Sequence, residues 1–134
     1  MNAELTGKLL MYFIFHQGGN YLMTKEEFRK LTEQTLILDG ATGSNLMASG
    51  MPRGICTETW VIDHKDIIQN LQRAYIKAGS QVIYAPTFGG NRLNLEKHGL
   101  ADRIEEINRT LVGYSKELAG NGVYVVGDIT TSGS

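Results

Sequence analysis

The chain has 134 residues, of which 42% are hydrophobic and 20% charged, a length and composition suited to one globular domain. Its 13 basic and 14 acidic side chains leave a net charge of -1 and are scattered along the sequence, which excludes the basic stripe of a nucleic-acid binder and the polybasic patch of a membrane-surface protein. The one cysteine, Cys56, excludes an internal disulfide and any C-x-x-C motif, so a small-molecule or protein partner and a reducing, cytoplasmic compartment are expected.

Residues 1–22 differ in texture from the rest. Their apolar run, Leu9 to Phe15, is far shorter than the roughly 20 residues that span a bilayer. The basic start and small-residue cleavage site of a secretory signal are missing. They are read as an N-terminal extension, with Met23 opening a domain over 23–134. An added strand or a partner-binding segment is the alternative.

Thr24 and Glu27 form a capping-box pattern, and Phe28 and Leu31 follow at helical spacing, so a short helix is predicted to about Gln34. Thr35 to Leu38 reads as a strand, and it runs into LDGATGSNL, residues 38–46. Asp63 is placed as the cap of a second helix with Ile67, Leu71, Ala74, Tyr75 and Ala78 on one face and Gly79 as its stop. A strand, QVIYA, covers 81–85. Asp102 opens a third helix carrying Ile104, Ile107, Leu111, Tyr114 and Leu118, which ends at Gly120-Asn121-Gly122. The strand VYVVGD follows over 123–128.

Short apolar strands separated by amphipathic helices are the signature of β/α units on a buried parallel sheet. Each strand delivers a polar residue at its C-terminal end: Asp39, Thr87 and Asp128 in turn. In parallel β/α folds ligands bind at that edge, where the βα loops converge. Two readings of Asp39 stand side by side on the residues alone: a ligand contact, or an N-cap of the helix that follows, with Gly40 and Gly43 serving the turn. The spacing Gly40-x-x-Gly43 is no dinucleotide fingerprint, and there is no Walker lysine. Trp60 reads as a packing residue, Cys56 as a small loop or core residue, and His98 as a solvated helix end. His16 and His64 have no partner by spacing.

LDGATGSNL, Glu58, YIKAGSQVIYAPTFGGNRLNLEKHGL and GDITTSG, in this order and spacing, resemble the homocysteine S-methyltransferase family, as in the N-terminal module of cobalamin-dependent methionine synthase. The similarity covers about residues 35 to 133. It implies an α/β fold that is part of a (β/α)8 TIM-type barrel, with about three parallel strands and intervening helices. It also implies methyl transfer to the sulfur of homocysteine to give methionine. Asp39 matches the acidic residue that holds the substrate's amino group, with the backbone of Gly40, Ala41 and Thr42 near its carboxylate. Glu58 matches an acidic position after the first strand, and Thr87, Phe88 and Asn91, with Gly89, match the second strand-end loop.

The sequence departs from the family pattern at Ser44 for threonine, Val61 for asparagine, Pro86 for the asparagine of T-N-T-F-G, and Thr130-Thr131 for Gly-Pro. The family binds its thiol to zinc through three cysteines of the later barrel, a way of making a thiolate at neutral pH. Cys56 matches none of them, so no metal ligand and no catalytic residue is assigned here, and zinc belongs to the complete domain. Methylcobalamin charged from methyltetrahydrofolate, betaine and a methylated sulfonium are the candidate donors. A closed barrel needs at least about 200 residues. The chain therefore reads as a fragment supplying the amino-acid-binding part, which needs the remainder of the barrel or a second chain. A non-catalytic binding or assembly piece is the alternative.

Overall fold

A computed structural model of the chain describes residues 14–15 and 22–130. Ile14–Phe15 forms a short strand, β1. The capping box closes as expected: the Thr24 hydroxyl accepts from the Glu27 N–H at 3.2 Å and Glu27 Oε2 accepts from the Thr24 N–H at 2.7 Å. Helix α1 then runs over Lys25–Leu31, shorter than the pattern suggests. Helices α2 (Gly43–Ala48), α3 (Thr57–Asp63) and α4 (Lys65–Ala78) follow, and α4 stops at Gly79 with φ 113°, a left-handed position. Strand β2 is Val82–Ala85, helix α5 Arg92–Glu96, helix α6 Ile104–Ala119 after one 3-10 turn at Ala101–Arg103, and strand β3 Tyr124–Gly127.

Three expectations need correction. The strand over 35–38 is reduced to a single parallel bridge, Leu38 to Val82. The ladder begins regularly, with the Val82 N–H donating to Ile37 O at 3.2 Å and the Asp39 N–H to Val82 O at 3.0 Å. The next donor, the Tyr84 N–H, turns to the Asp39 side chain instead, at 3.0 Å. The carboxylate intercepts the bond that would have continued the strand. Asp63 does not cap α4; it closes α3, and His64 separates the two helices, its ring stacked on Trp60 with centroids 4.0 Å apart. His64 therefore has the partner that spacing did not reveal, and Nδ1 also lies 2.8 Å from Trp60 O.

The sheet order is β1-β3-β2. Strands β2 and β3 are parallel, pairing Ile83 with Val125 and Tyr84 with Val126, and α5 and α6 supply the crossover that a parallel pair requires. Strand β1 joins the far edge of β3 antiparallel, Ile14 opposite Val126 and Phe15 opposite Val125, so the sheet is mixed and not purely parallel.

Alternation along the strands sends Ile83, Ala85 and Val125 to the helical side, where they pack with Ala119, Val123, Ile76 and Val112. Val82 and Val126 face the other way, with Met23, Leu36, Tyr84 and Tyr124 against them. A third cluster, Leu46, Cys56, Val61, Ile68, Leu95, Ile107 and Leu111, holds the helices to one another. Buried Gln72 ties α4 to both neighbours, donating to Tyr84 O at 3.1 Å and to Ser115 Oγ at 2.9 Å. Among the described residues no helix is long and apolar enough to cross a membrane.

Candidate functional site

A cleft of about 750 Å3 opens at the C-terminal ends of β2, β3 and the Leu38 bridge. Asp39, Gly40, Thr42, Glu58, Phe88, Gly89 and Asn91 all line it, so seven of the nine residues singled out above meet in one place. The other two stand just behind. Ala41 turns its carbonyl to the Tyr75 hydroxyl at 2.8 Å and to Asn45 Nδ2 at 2.7 Å. Thr87 is buried, and its Oγ1 donates to Asp128 O and accepts from the Asp128 N–H, each at 2.9 Å, which locks the end of β2 to the end of β3.

Asp39 is not a cap. Thr42 holds the N-cap position of α2 without a side-chain bond, while the Asp39 carboxylate stays with the Tyr84 N–H at the cleft floor. Burial pushes its pKa from 3.8 up to about 6, against the opposing pull of the Tyr84 N–H, and the negative charge of Asp128 adds to the rise. Burial also raises Asp128. The floor thus presents two carboxyl groups whose charged forms burial disfavours, a setting that a bound ammonium would relieve. Gly40 is held against the Tyr75 ring, where an added Cβ would come within 2.9 Å.

The wall is the loop from Pro86 to Asn91. Glu58 Oε1 accepts from the Gly89 N–H at 2.8 Å, Asn94 Nδ2 donates to Gly89 O at 2.8 Å, and Asn108 Nδ2 donates to Gly90 O at 2.7 Å. Asn91 spends its side-chain oxygen on capping α5, accepting from the Asn94 N–H at 2.9 Å. Phe88 stays exposed on this wall.

Asp128, Tyr84, Asn94, Lys97, His98 and Thr130 also line the cleft and were not among the expected site residues. For Asp128 the signal was readable, since it ends an apolar strand as Asp39 does. Among the described residues no three His, Cys, Asp or Glu side chains group to hold a metal ion. Cys56 is buried, its Sγ 3.5 Å from Glu58 Oε2.

A parallel β/α unit with a cleft at its strand ends defines the class: an α/β fold of the kind in which ligands bind over the sheet edge. Comparison with known proteins narrows this. The homocysteine S-methyltransferase family profile matches residues 36–134, and the chain belongs to that family. It is 28% identical over 95 residues to a methionine synthase of Mycobacterium tuberculosis, covering 66% of this chain and 8% of that protein. It is 29% identical over 90 residues to the S-methylmethionine–homocysteine S-methyltransferase BHMT2 of Pongo abelii, covering 66% of this chain and 23% of that protein. In fold it resembles the homocysteine methyltransferase MmuM of Escherichia coli in its metallated form, with a TM-score of 0.59, 19% identity, and cover of 75% of this chain and 40% of the other. The chain thus spans well under half the length of each of these relatives.

Proposed function

We propose that this chain supplies the amino-acid-binding side of a homocysteine S-methyltransferase whose complete domain transfers a methyl group to the thiol of homocysteine and releases methionine. In this reading the β/α units are the first part of a (β/α)8 barrel, and the remainder of the barrel, or a second chain, covers the inner face of the sheet. The half-buried Asp39 on the cleft floor carries the proposal. Its carboxylate would pair with the substrate ammonium, a charge-assisted contact, beside the backbone of Gly40, Ala41 and Thr42 for the substrate carboxylate. Phe88 would flank the side chain, and Thr87 and Asn91 would keep that wall in place.

Zinc and the methyl donor, including methylcobalamin, belong in this reading to the part of the barrel outside this chain. The chain alone is therefore expected to bind without turning over. Titrating the labelled chain with homocysteine and following backbone amides tests the reading. Shifts centred on Gly40, Tyr84 and Gly89 are expected, with methionine competing. Shifts confined to surfaces away from the cleft would overturn it.

The inner face favours the covering partner. An apolar groove of about 410 Å3 lies there between Phe28, Leu31, Leu36, Val82 and Val126, and Ile37 and Leu38 are about half exposed beside it. Such a surface on a lone chain is an association site. Light scattering on the purified chain should give a mass above the monomer.

A further inference from the structure

We infer that Glu58 is a positioning residue: it sets the cleft wall by fixing the Phe88–Gly89 peptide, and does not itself hold the substrate. This deepens the amino-acid-binding reading and rests on it. Glu58 is only 3% exposed. One carboxylate oxygen accepts from the Gly89 N–H at 2.8 Å and the other lies 3.5 Å from the Cys56 thiol, its donor. Among the described residues it has no ion-pair partner, so its bonding is spent on the loop and on its own helix turn.

Complementary features on the loop side make the fit specific. A Cβ at Gly89 would fall 2.6 Å from Glu58 Oε1 and 2.7 Å from Asn94 Nδ2, so only glycine lets the carboxylate and the amide close on the two peptides that flank this residue. The N–H of Gly89 goes to α3 and its carbonyl to α5, a clamp across two elements. Phe88, the residue just before, is thereby held out at 60% exposure on the cleft wall.

The test compares Glu58→Ala, Glu58→Gln, Gly89→Ala and Phe88→Ala in the full chain, each alone, and Glu58→Ala also combined with Phe88→Ala. Amide hydrogen exchange at Gly89 and homocysteine affinity are the readouts. Glu58→Ala should speed exchange at Gly89 at least about tenfold while amides of α6 stay protected. Glu58→Gln keeps an acceptor at Oε1 and should restore protection. Gly89→Ala approaches the clamp from the other side and should lose it with the Glu58 side chain left in place as a carboxylate-bearing residue.

Homocysteine affinity should fall about tenfold in Glu58→Ala and in Phe88→Ala, and no further in the double variant, because both act through one wall. Unchanged exchange at Gly89 in Glu58→Ala would overturn the clamp. Additive affinity losses, or a Glu58→Gln variant as weak as Glu58→Ala, would mean that the charge meets the substrate directly. The exchange measurement decides the clamp whether or not the chain binds homocysteine, so its failure is distinct from failure of the homocysteine reading.

Discussion

The two faces of the sheet are finished to different degrees. On the helical side Ile83, Ala85 and Val125 are sealed beneath α4 and α6, and Leu111 and Ile107 beyond them are fully buried. On the other side, among the described residues, Val82, Val126 and Leu31 are buried, while Tyr84 and Tyr124 are half-covered and Leu38 is 48% exposed. One sequence supplies both faces with comparable apolar residues, so the difference lies in what covers them. The helical side holds the larger part of the buried apolar side chains, and in the proposed reading the inner side is the one a partner would cover.

The largest break in that contrast should come from Leu111→Ala, which deletes a fully buried side chain from the helical core and is expected to cost about 2 to 5 kcal/mol. Leu38→Ala, on the inner side, should change stability by less than about 0.5 kcal/mol. Paired denaturant titrations measure both. Equal losses would mean that the inner face is already packed in solution.

At the cleft, Asp39→Asn should leave stability nearly unchanged, because an amide oxygen still accepts from the Tyr84 N–H. It should weaken homocysteine binding by about 1.5 to 3 kcal/mol, the range for hydrogen bonds to charged groups. Calorimetric titration beside a melting curve separates the two effects. A drop in melting temperature with intact affinity would make Asp39 a strand-end fastener and no more.

Gln72→Leu probes how the helical side is tied together. It removes donors to Tyr84 O and Ser115 Oγ, but it also removes Gln72 Oε1, a buried oxygen with no partner among the described residues. A net loss of about 1 kcal/mol in denaturant unfolding is expected.

The smallest effect is on pH dependence. The folded chain holds the Asp39 proton up to about pH 6, above its ordinary 3.8, so the native state binds more protons than the unfolded chain between these values. The contribution is fully present below about 3.8 and is lost as pH rises through 6; Asp128, shifted the same way, adds to it. Solvent reaches Asp39, so the swing should stay below about 1 kcal/mol. Asp39→Asn should flatten it, as unfolding midpoints at pH 4 and pH 7 would show. Binding of an ammonium ligand should run the opposite way, strengthening as pH rises through 6.

How legible this was in the sequence depended on how local each signal is. The capping box of α1, the stop at Gly79 and the runs that became β2 and β3 are set by neighbours in the chain, and they stand close to where the pattern put them. Helix α3 escaped because Cys56 caps it without a side-chain bond, while Asp63, a better cap on paper, sits at its other end. The short α5 escaped too, although Asn91 followed by Asn94 carried a cap signal. At the site, residues ending strands could be found by position alone. Lys97 and His98 could not, because only the turn after α5 brings them to the cleft. The reach of the Asp39 carboxylate to Tyr84, 45 residues away, was likewise invisible.

Strand β1 gives the sheet a direction of growth. A sheet lengthens only where a row of amides and carbonyls is vacant, and β3 is flanked on both sides at Val125 and Val126, by β2 and by Ile14–Phe15. Another strand arriving at β3 must therefore first evict the chain's own residues. One margin of the sheet is thus closed by residues that come well before the other two strands in the chain.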